Sequence, residues 1–140
     1  SENELLMGNV SISDLSEDGN KLLLMGNPAP YTDTIYLINL ESMDTLSITY
    51  VHEEYGPDQP SPLQPTLTYD ENVILFLNTE WDGYEPYNEL WKYSFIDSSE
   101  IVIADSLDRN FGFITLSPDK REVAVFKNYG DSVDVAIVDI

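Results

Sequence analysis

The phrase "LSEDGNKLLLM" at residues 15–25 returns as "LSPDKREVAVF" at residues 116–126, and a looser copy, "TYDENVILFL", occupies residues 68–77. In each copy an aspartate precedes a run of apolar residues that favour strands. An aspartate suits a turn because its carboxylate accepts hydrogen bonds from nearby backbone N–H groups, and Gly19 permits a positive φ. Each copy therefore predicts a turn that leads into a strand.

Aligning the three copies predicts a repeated unit. The aligned positions are Ser16, Tyr69 and Ser117, and the equivalent turns are centred on Asp18, Asp70 and Asp119. The repeat is slightly longer than the roughly 40–45 residues of a four-stranded propeller blade, and polar loops account for the excess.

Between the turns, the sequence alternates with the period of a strand rather than that of a helix. In "TIYLINL" at residues 34–40, Ile35 and Leu37 fall on one face while Tyr36 and Ile38 fall on the other, as in a strand that lies between two layers. Almost no helix is expected. The predicted strands are 10–16, 21–26, 34–41, 44–51, 65–69, 73–78, 88–96, 99–105, 111–117, 122–127 and 132–140.

These strands predict a single all-β domain over residues 1–140, with a β-propeller-like fold of about three four-stranded antiparallel blades. The predicted blades are about 10–51, about 65–105 and about 111–140. The last blade is incomplete, because no fourth strand follows Ile140. An ordinary β-sandwich with Asp-Gly hairpins is the alternative.

The phrases "LSEDGNKLLL" with "TIYLINLES", and "LSPDKREVAVF" with "VDVAIVDI", resemble the blade of TolB-type and WD-repeat-like β-propellers. Blades of that family typically carry a Ser-Pro-Asp-Gly-Lys turn. Here Glu17 stands at the proline position, Lys120 replaces the glycine, and the middle copy keeps only Asp70. The residues leave the compartment undetermined, and the resemblance alone favours a periplasmic or extracellular location.

The segment "NELLMGN" at residues 3–9 is the candidate to close the last blade. Rings generally need about 4–8 blades. We therefore expect either a homodimer in which residues 3–9 of each copy complete a six-bladed ring, or a chain that is one piece of a longer propeller.

Composition excludes several classes of partner and chemistry. With 26 acidic and 6 basic residues, the net charge is −20, which repels nucleic-acid phosphates and anionic lipid headgroups. A salty habitat can also select such a surface. The chain has no cysteine for a disulfide or a thiolate, and no apolar run approaches the roughly 20 residues of a membrane helix, so membrane insertion is not expected.

The loops after the second and fourth strands of each blade are predicted to share one acidic face rich in aromatic residues, whereas Lys21, Lys120 and Arg121 lie in turns at the other face. Aromatic rings beside carboxylates can bind basic peptides or sugars. An alternative is that these rings merely pack the loops together. The candidate binding residues are Tyr31, Asp33, Trp81, Asp82, Tyr84, Glu85, Tyr87, Tyr129 and Asp131.

The sequence therefore predicts a noncatalytic interaction module that binds a protein or peptide, with a basic partner matching the acidic face. No nucleophile elbow, P-loop or zinc-protease motif occurs, and His52 is the sole histidine. No cofactor is predicted, although calcium stays open because oxygen ligands alone suit it. The alternatives are a carbohydrate- or calcium-binding propeller segment and the accessory propeller of a hydrolase.

Overall fold

A computed structural model describes residues 9–51, 62–81, 83–84, 86–107, 114–128 and 132–140. Within these ranges the chain is all β, with no helix. The first four strands form one antiparallel sheet in sequence order, which we call blade 1. They are β1 (Asn9–Leu15), β2 (Lys21–Asn27), β3 (Thr32–Asn39) and β4 (Thr45–Val51).

The next four strands form blade 2, and the last three form blade 3. Blade 2 contains β5 (Pro62–Leu67), β6 (Val73–Trp81), β7 (Pro86–Ser94) and β8 (Glu100–Leu107). Blade 3 contains β9 (Thr115–Leu116), β10 (Glu122–Asn128) and β11 (Val133–Asp139). The predicted closing strand at 3–9 reaches only Asn9, which belongs to β1, because residues 1–8 lie outside the described ranges.

Blades 2 and 3 are not separate sheets, which differs from the expectation of three independent ones. Lys127 of β10 pairs with Leu107 of β8, and this bridge joins the two blades into one seven-stranded sheet. The pairing occurs where β8 and β10 approach at one end. The result is a four-stranded sheet followed by a curled seven-stranded one, as in an incomplete propeller.

The apolar core lies between blades rather than within them. One cluster fills the space between blades 1 and 2 and contains Leu23, Ile35 and Phe76. A second cluster fills the space between blades 2 and 3 and contains Leu77 and Val123. Strands that pack on both sides need apolar residues on both faces, which explains the pattern seen in the sequence.

The turn between β1 and β2 forms as its composition predicts. The N–H of Ser16 donates to the carbonyl of Lys21 at 2.8 Å, and the Ser16 hydroxyl donates to Asp18 Oδ1 at 2.7 Å. The N–H of Asn20 also donates to Asp18 Oδ1, at 2.9 Å. Gly19 has a φ of 76°, in the left-handed region that glycine adopts without strain.

The turn before β10 repeats these bonds. The N–H of Ser117 donates to the carbonyl of Glu122 at 2.9 Å, and its hydroxyl donates to Asp119 Oδ1 at 2.6 Å. Lys120 occupies the position of the glycine in the first turn and has a φ of 56°. This turn therefore keeps the left-handed residue even though it carries a side chain there.

The middle turn corrects the alignment by one residue. The N–H of Thr68 donates to the carbonyl of Val73 at 3.1 Å, and the N–H of Asn72 donates to Asp70 Oδ1 at 3.1 Å. Thr68, rather than Tyr69, thus takes the position of the two serines. The Thr68 hydroxyl donates to the carbonyls of Asp70 and Val73 rather than to a carboxylate, so the three turns share the backbone bond but not the side-chain bond.

Candidate functional site

The turns that precede β2, β6 and β10 lie at one end of the sheets, which we call the turn end. There the Nζ of Lys21 donates to Asn72 Oδ1 at 2.8 Å, and this bond ties blade 1 to blade 2. The Arg121 guanidinium lies 4.4 Å from the centre of the Tyr69 ring and ties blade 3 to blade 2. Two of the few cations of the chain are therefore engaged in contacts between blades.

A cavity of about 490 Å³ lies beside Lys21 at the turn end, between the first two blades. Polar side chains and two leucines share its wall. The residues that line it are Lys21, Leu37, Asn39, Asp44, Thr45, Leu46 and Asn72.

The opposite end, which we call the loop end, presents two of the predicted aromatic residues. Tyr31 has a φ of 59° in the β2–β3 loop and is 51% exposed. Tyr84 follows Gly83, which has a φ of 95°, and is 89% exposed. Tyr87, near the start of β7, is half-buried and therefore less accessible than Tyr31 and Tyr84. Tyr31 and Tyr84 thus offer accessible ring surface at the loop end.

Asp33 is placed differently from the acids of a binding surface. It is only 6% exposed and accepts a hydrogen bond from the Nδ2 of Asn27. The reason is that β3 begins at Thr32, earlier than the predicted start at residue 34, so that Asp33 alternates inward with Ile35. Its carboxylate is buried on the face of β3 that also carries Ile35.

The other predicted site residues cannot be placed in this geometry. The backbone of Trp81 ends β6 and pairs with Pro86, but its side chain lies outside the described residues. Asp82, Glu85, Tyr129 and Asp131 also lie outside them.

A group of aromatic and acidic side chains between blades 1 and 2 was not predicted from the sequence. The Phe76 ring stacks on Trp91 with centroids 6.5 Å apart, and it makes an edge-to-face contact with Tyr50 with centroids 5.6 Å apart. The Tyr50 hydroxyl donates to Glu100 Oε1, and the Trp91 Nε1–H donates to Glu89 Oε2 at 3.0 Å. These contacts bring three rings and two carboxylates together.

A cavity of about 130 Å³ opens beside these rings and is lined by Tyr50, Asn78, Glu80, Trp91 and Glu100. We call it the inter-blade cavity. The Nδ2 of Asn78, which is buried, donates to Glu80 Oε1 at 2.9 Å and so holds that carboxylate in place. The cavity therefore combines two aromatic walls with two carboxylates.

Burial dominates the electrostatics of this region. Burial raises the pKa of Glu89, the hydrogen bond from Trp91 opposes the rise, and the charges of Glu80 and Asp105 add to it. Burial also raises the pKa of Tyr50 above its usual range, and the hydrogen bond to Glu100 raises it further. Tyr50 thus remains a hydrogen-bond donor at neutral pH.

The sequence carried only a weak signal for this group. Glu80 and Glu89 lie at strand positions on the same face as the core residues Phe76 and Trp91, where an apolar residue would be ordinary. A charge in such a position is the feature that could have marked the cavity. The contribution of Tyr50, from blade 1, to a cavity otherwise lined by blade 2 depends on packing that a sequence does not display.

A third cavity, of about 460 Å³, lies where the first strands of the blades converge. Both β1 and β5 contribute to it, and so does the residue just before β9. The residues that line it are Ser11, Ile12, Ser13, Met25, Gln64, Pro65, Thr66 and Ile114. In a propeller the innermost strands surround a central channel, so this cavity marks the axis side of the chain.

The described residues contain neither a metal-binding cluster nor a membrane-spanning helix. Among them, no group of three or more histidine, cysteine, aspartate or glutamate side chains is placed to hold a metal ion. Within the same ranges, no helix has the length and apolar character required to cross a membrane.

Comparison with solved structures identifies the fold. TolB from Acinetobacter baumannii matches 94% of the chain with a TM-score of 0.53 and 23% identity. An oligogalacturonate lyase in complex with manganese matches 94% with a TM-score of 0.61 and 11% identity. A prolyl endopeptidase matches 93% with a TM-score of 0.55 and 18% identity. The chain has a TolB-like β-propeller fold.

This TolB-like segment spans 30% of the TolB chain, 35% of the lyase chain and 20% of the endopeptidase chain. No protein-family model and no curated protein matches its sequence. The structural matches confirm, at the level of fold, the TolB-type part of the resemblance predicted from the turn phrases.

Proposed function

We propose that this TolB-like segment is a noncatalytic interaction module that binds a basic protein or peptide segment at its loop end. The observation that carries the proposal is that the turn end and the loop end differ in their charged and aromatic residues. Lys21 and Arg121 are engaged between blades at the turn end, whereas Tyr31 and Tyr84 present their rings at the loop end.

The net charge of −20 supports a basic partner. A field of one sign attracts an oppositely charged partner and speeds its association, and exposed tyrosine rings add contact area and cation–π attraction. Both effects favour lysine-rich or arginine-rich segments over neutral ones.

The test is a calorimetric titration with a lysine-rich peptide at low and high salt. We expect binding that weakens steeply as salt increases, because screening shortens the range of charge interactions to about 8 Å at physiological ionic strength. Binding that is equally strong in high salt would contradict a charge-driven partner and favour a carbohydrate ligand instead.

The location is tested with two tyrosine variants. Tyr84→Ala should weaken binding, whereas Tyr69→Ala removes a ring of comparable type at the turn end and should leave affinity unchanged. Circular dichroism and thermal melting establish that both variants fold. Equal effects of the two variants would contradict the loop end as the binding surface.

A further inference from the structure

The inter-blade cavity, lined by Tyr50, Asn78, Glu80, Trp91 and Glu100, has the composition of a cation-binding cage. We propose that it receives the ammonium group of a lysine side chain from the basic partner. This inference rests on the proposed function and names the group that the partner inserts.

The aromatic wall supplies the first attraction. An ammonium group near the face of a tryptophan or tyrosine ring is attracted by the negative charge density of that face, most strongly where water is excluded. Trp91 stacks on Phe76, and Phe76 contacts Tyr50, so the two rings that line the cavity are held by a third. A fixed cage loses little side-chain entropy when a ligand enters.

The carboxylates supply the second attraction. Glu80 is oriented by the amide of Asn78, and Glu100 is oriented by the hydroxyl of Tyr50. Neither bond neutralises a carboxylate, and the five described lining residues include no lysine or arginine. A cation that entered the cavity would therefore meet two preoriented negative charges.

The neighbouring Glu89 indicates the sign of the local field. Its pKa is raised by burial and by the charges of Glu80 and Asp105, although the bond from Trp91 acts against that rise. A positive charge placed beside Glu80 would relieve this repulsion.

The size of the cavity favours a lysine. A volume of about 130 Å³ exceeds several times the roughly 30 Å³ that one water occupies in the liquid, which is sufficient for a compact ammonium group with its last methylenes. Arginine instead presents a broad planar fork that is best matched by one carboxylate accepting two parallel bonds. Glu80 and Glu100 come from different strands, β6 and β8, so an ammonium group can donate a separate hydrogen bond to each.

The first experiment uses Trp81→Phe, which leaves Trp91 as the sole tryptophan of the chain. Titration with n-butylammonium chloride, an analogue of the lysine side chain, should change the Trp91 fluorescence saturably. n-Butanol, which has the same chain without the charge, should produce no saturable change. Equal responses to both probes, or no response to either, would overturn the cage.

The second experiment measures a lysine-rich peptide against Glu80→Gln and Glu100→Gln. Each should weaken binding about five- to tenfold, which corresponds to the loss of one charge contact with a partly desolvated cation. Glu122→Gln removes an exposed carboxylate near the turn end and is the matched control, with no expected change.

The outcomes separate the two proposals. If the peptide binds but Glu80→Gln behaves like Glu122→Gln and Trp91 does not respond, the cage is overturned while the interaction module stands. If n-butylammonium changes the Trp91 fluorescence but no basic peptide binds, the proposal that a partner inserts a lysine is overturned together with the proposed function. An arginine-rich peptide that binds as tightly as the lysine-rich one, with the same dependence on Glu80, would overturn the selection of lysine.

Discussion

The Oδ2 atom of Asp14 lies 2.9 Å from the backbone nitrogen of the buried Leu67 and accepts its hydrogen bond. The same oxygen accepts a bond from the Thr66 hydroxyl, also at 2.9 Å. The register of β1 shifts between Ile12 and Asp14, and this irregularity turns the carboxylate toward blade 2. One side chain thus connects the inner strands of two blades.

Asp14→Ala should lower the free energy of unfolding by about 1–3 kcal/mol, because it leaves the N–H of Leu67 buried without its acceptor. Urea denaturation followed by circular dichroism measures the change. Asp14→Asn keeps an acceptor oxygen and should lose less, and Glu41→Ala, at an exposed position, should change little. An Asp14→Ala protein as stable as the parent would show that water replaces the carboxylate.

Lys120→Gly should raise the free energy of unfolding by about 0.5–1 kcal/mol, because the left-handed conformation costs a residue with a Cβ roughly 1–2 kcal/mol and glycine adopts it freely. Lys120 has a φ of 56° at the position that Gly19 occupies in the first turn. Lys120→Ala removes the charge but keeps the Cβ, so it should bring no gain. A gain of equal size in both variants would assign the effect to charge instead.

Ser117→Ala should raise the pKa of Asp119 toward its ordinary value of 3.8. The Ser117 hydroxyl is the main group that lowers this pKa, followed by the N–H of Arg121. A lowered carboxyl pKa stabilises the folded state at pH values above the ordinary pKa, and this stabilisation is lost as pH falls through the folded pKa. Carboxyl carbon shifts followed by NMR measure the pKa, and Asp97, which depends on Ser99, should titrate unchanged.

Glu89→Gln should raise the melting temperature at pH 7, and the gain should shrink as pH falls through the raised pKa of Glu89 and vanish below the ordinary glutamate value of 4.5. The pKa of Glu89 is raised, so the folded protein favours its neutral form and loses stability from this group as pH rises. A glutamine is neutral throughout and can still accept the bond from Trp91. Thermal melts over a pH series test this, with Glu41→Gln as the control; a gain independent of pH would contradict it.

The sequence predicts self-association in which residues 3–9 of one copy complete the last blade of another. The edge that would receive them is β11, which pairs only with β10 among the described strands. Val135 is 61% exposed and Ile137 is 62% exposed on its outer face. Val135→Lys with Ile137→Lys should lower any dimer fraction measured by sedimentation at micromolar concentration, because charges on an edge strand oppose strand addition. A parent chain that is monomeric under those conditions would contradict the prediction.

The local features of the fold could be predicted from the sequence, because each depends on neighbouring residues. The turn at Asp18 follows from its carboxylate and Gly19, and the strands follow from their alternation. The alignment on Tyr69 was wrong, since the N–H of Thr68 makes the backbone bond that the N–H groups of Ser16 and Ser117 make in their turns. The inter-blade cavity was not foreseen because Tyr50 and Trp91 meet only when two sheets pack face to face.

Strand β6 serves two neighbours at once, since Ile74 and Phe76 enter the first core cluster while Leu75 and Leu77 enter the second. In a strand with apolar residues on one face, a slip of one residue exposes that face and is opposed by a single partner. A slip of β6 by one residue would instead exchange residues of different size between the two core clusters. Such a slip would disturb the packing of both clusters. The register of the middle blade is therefore specified by two cores rather than by one.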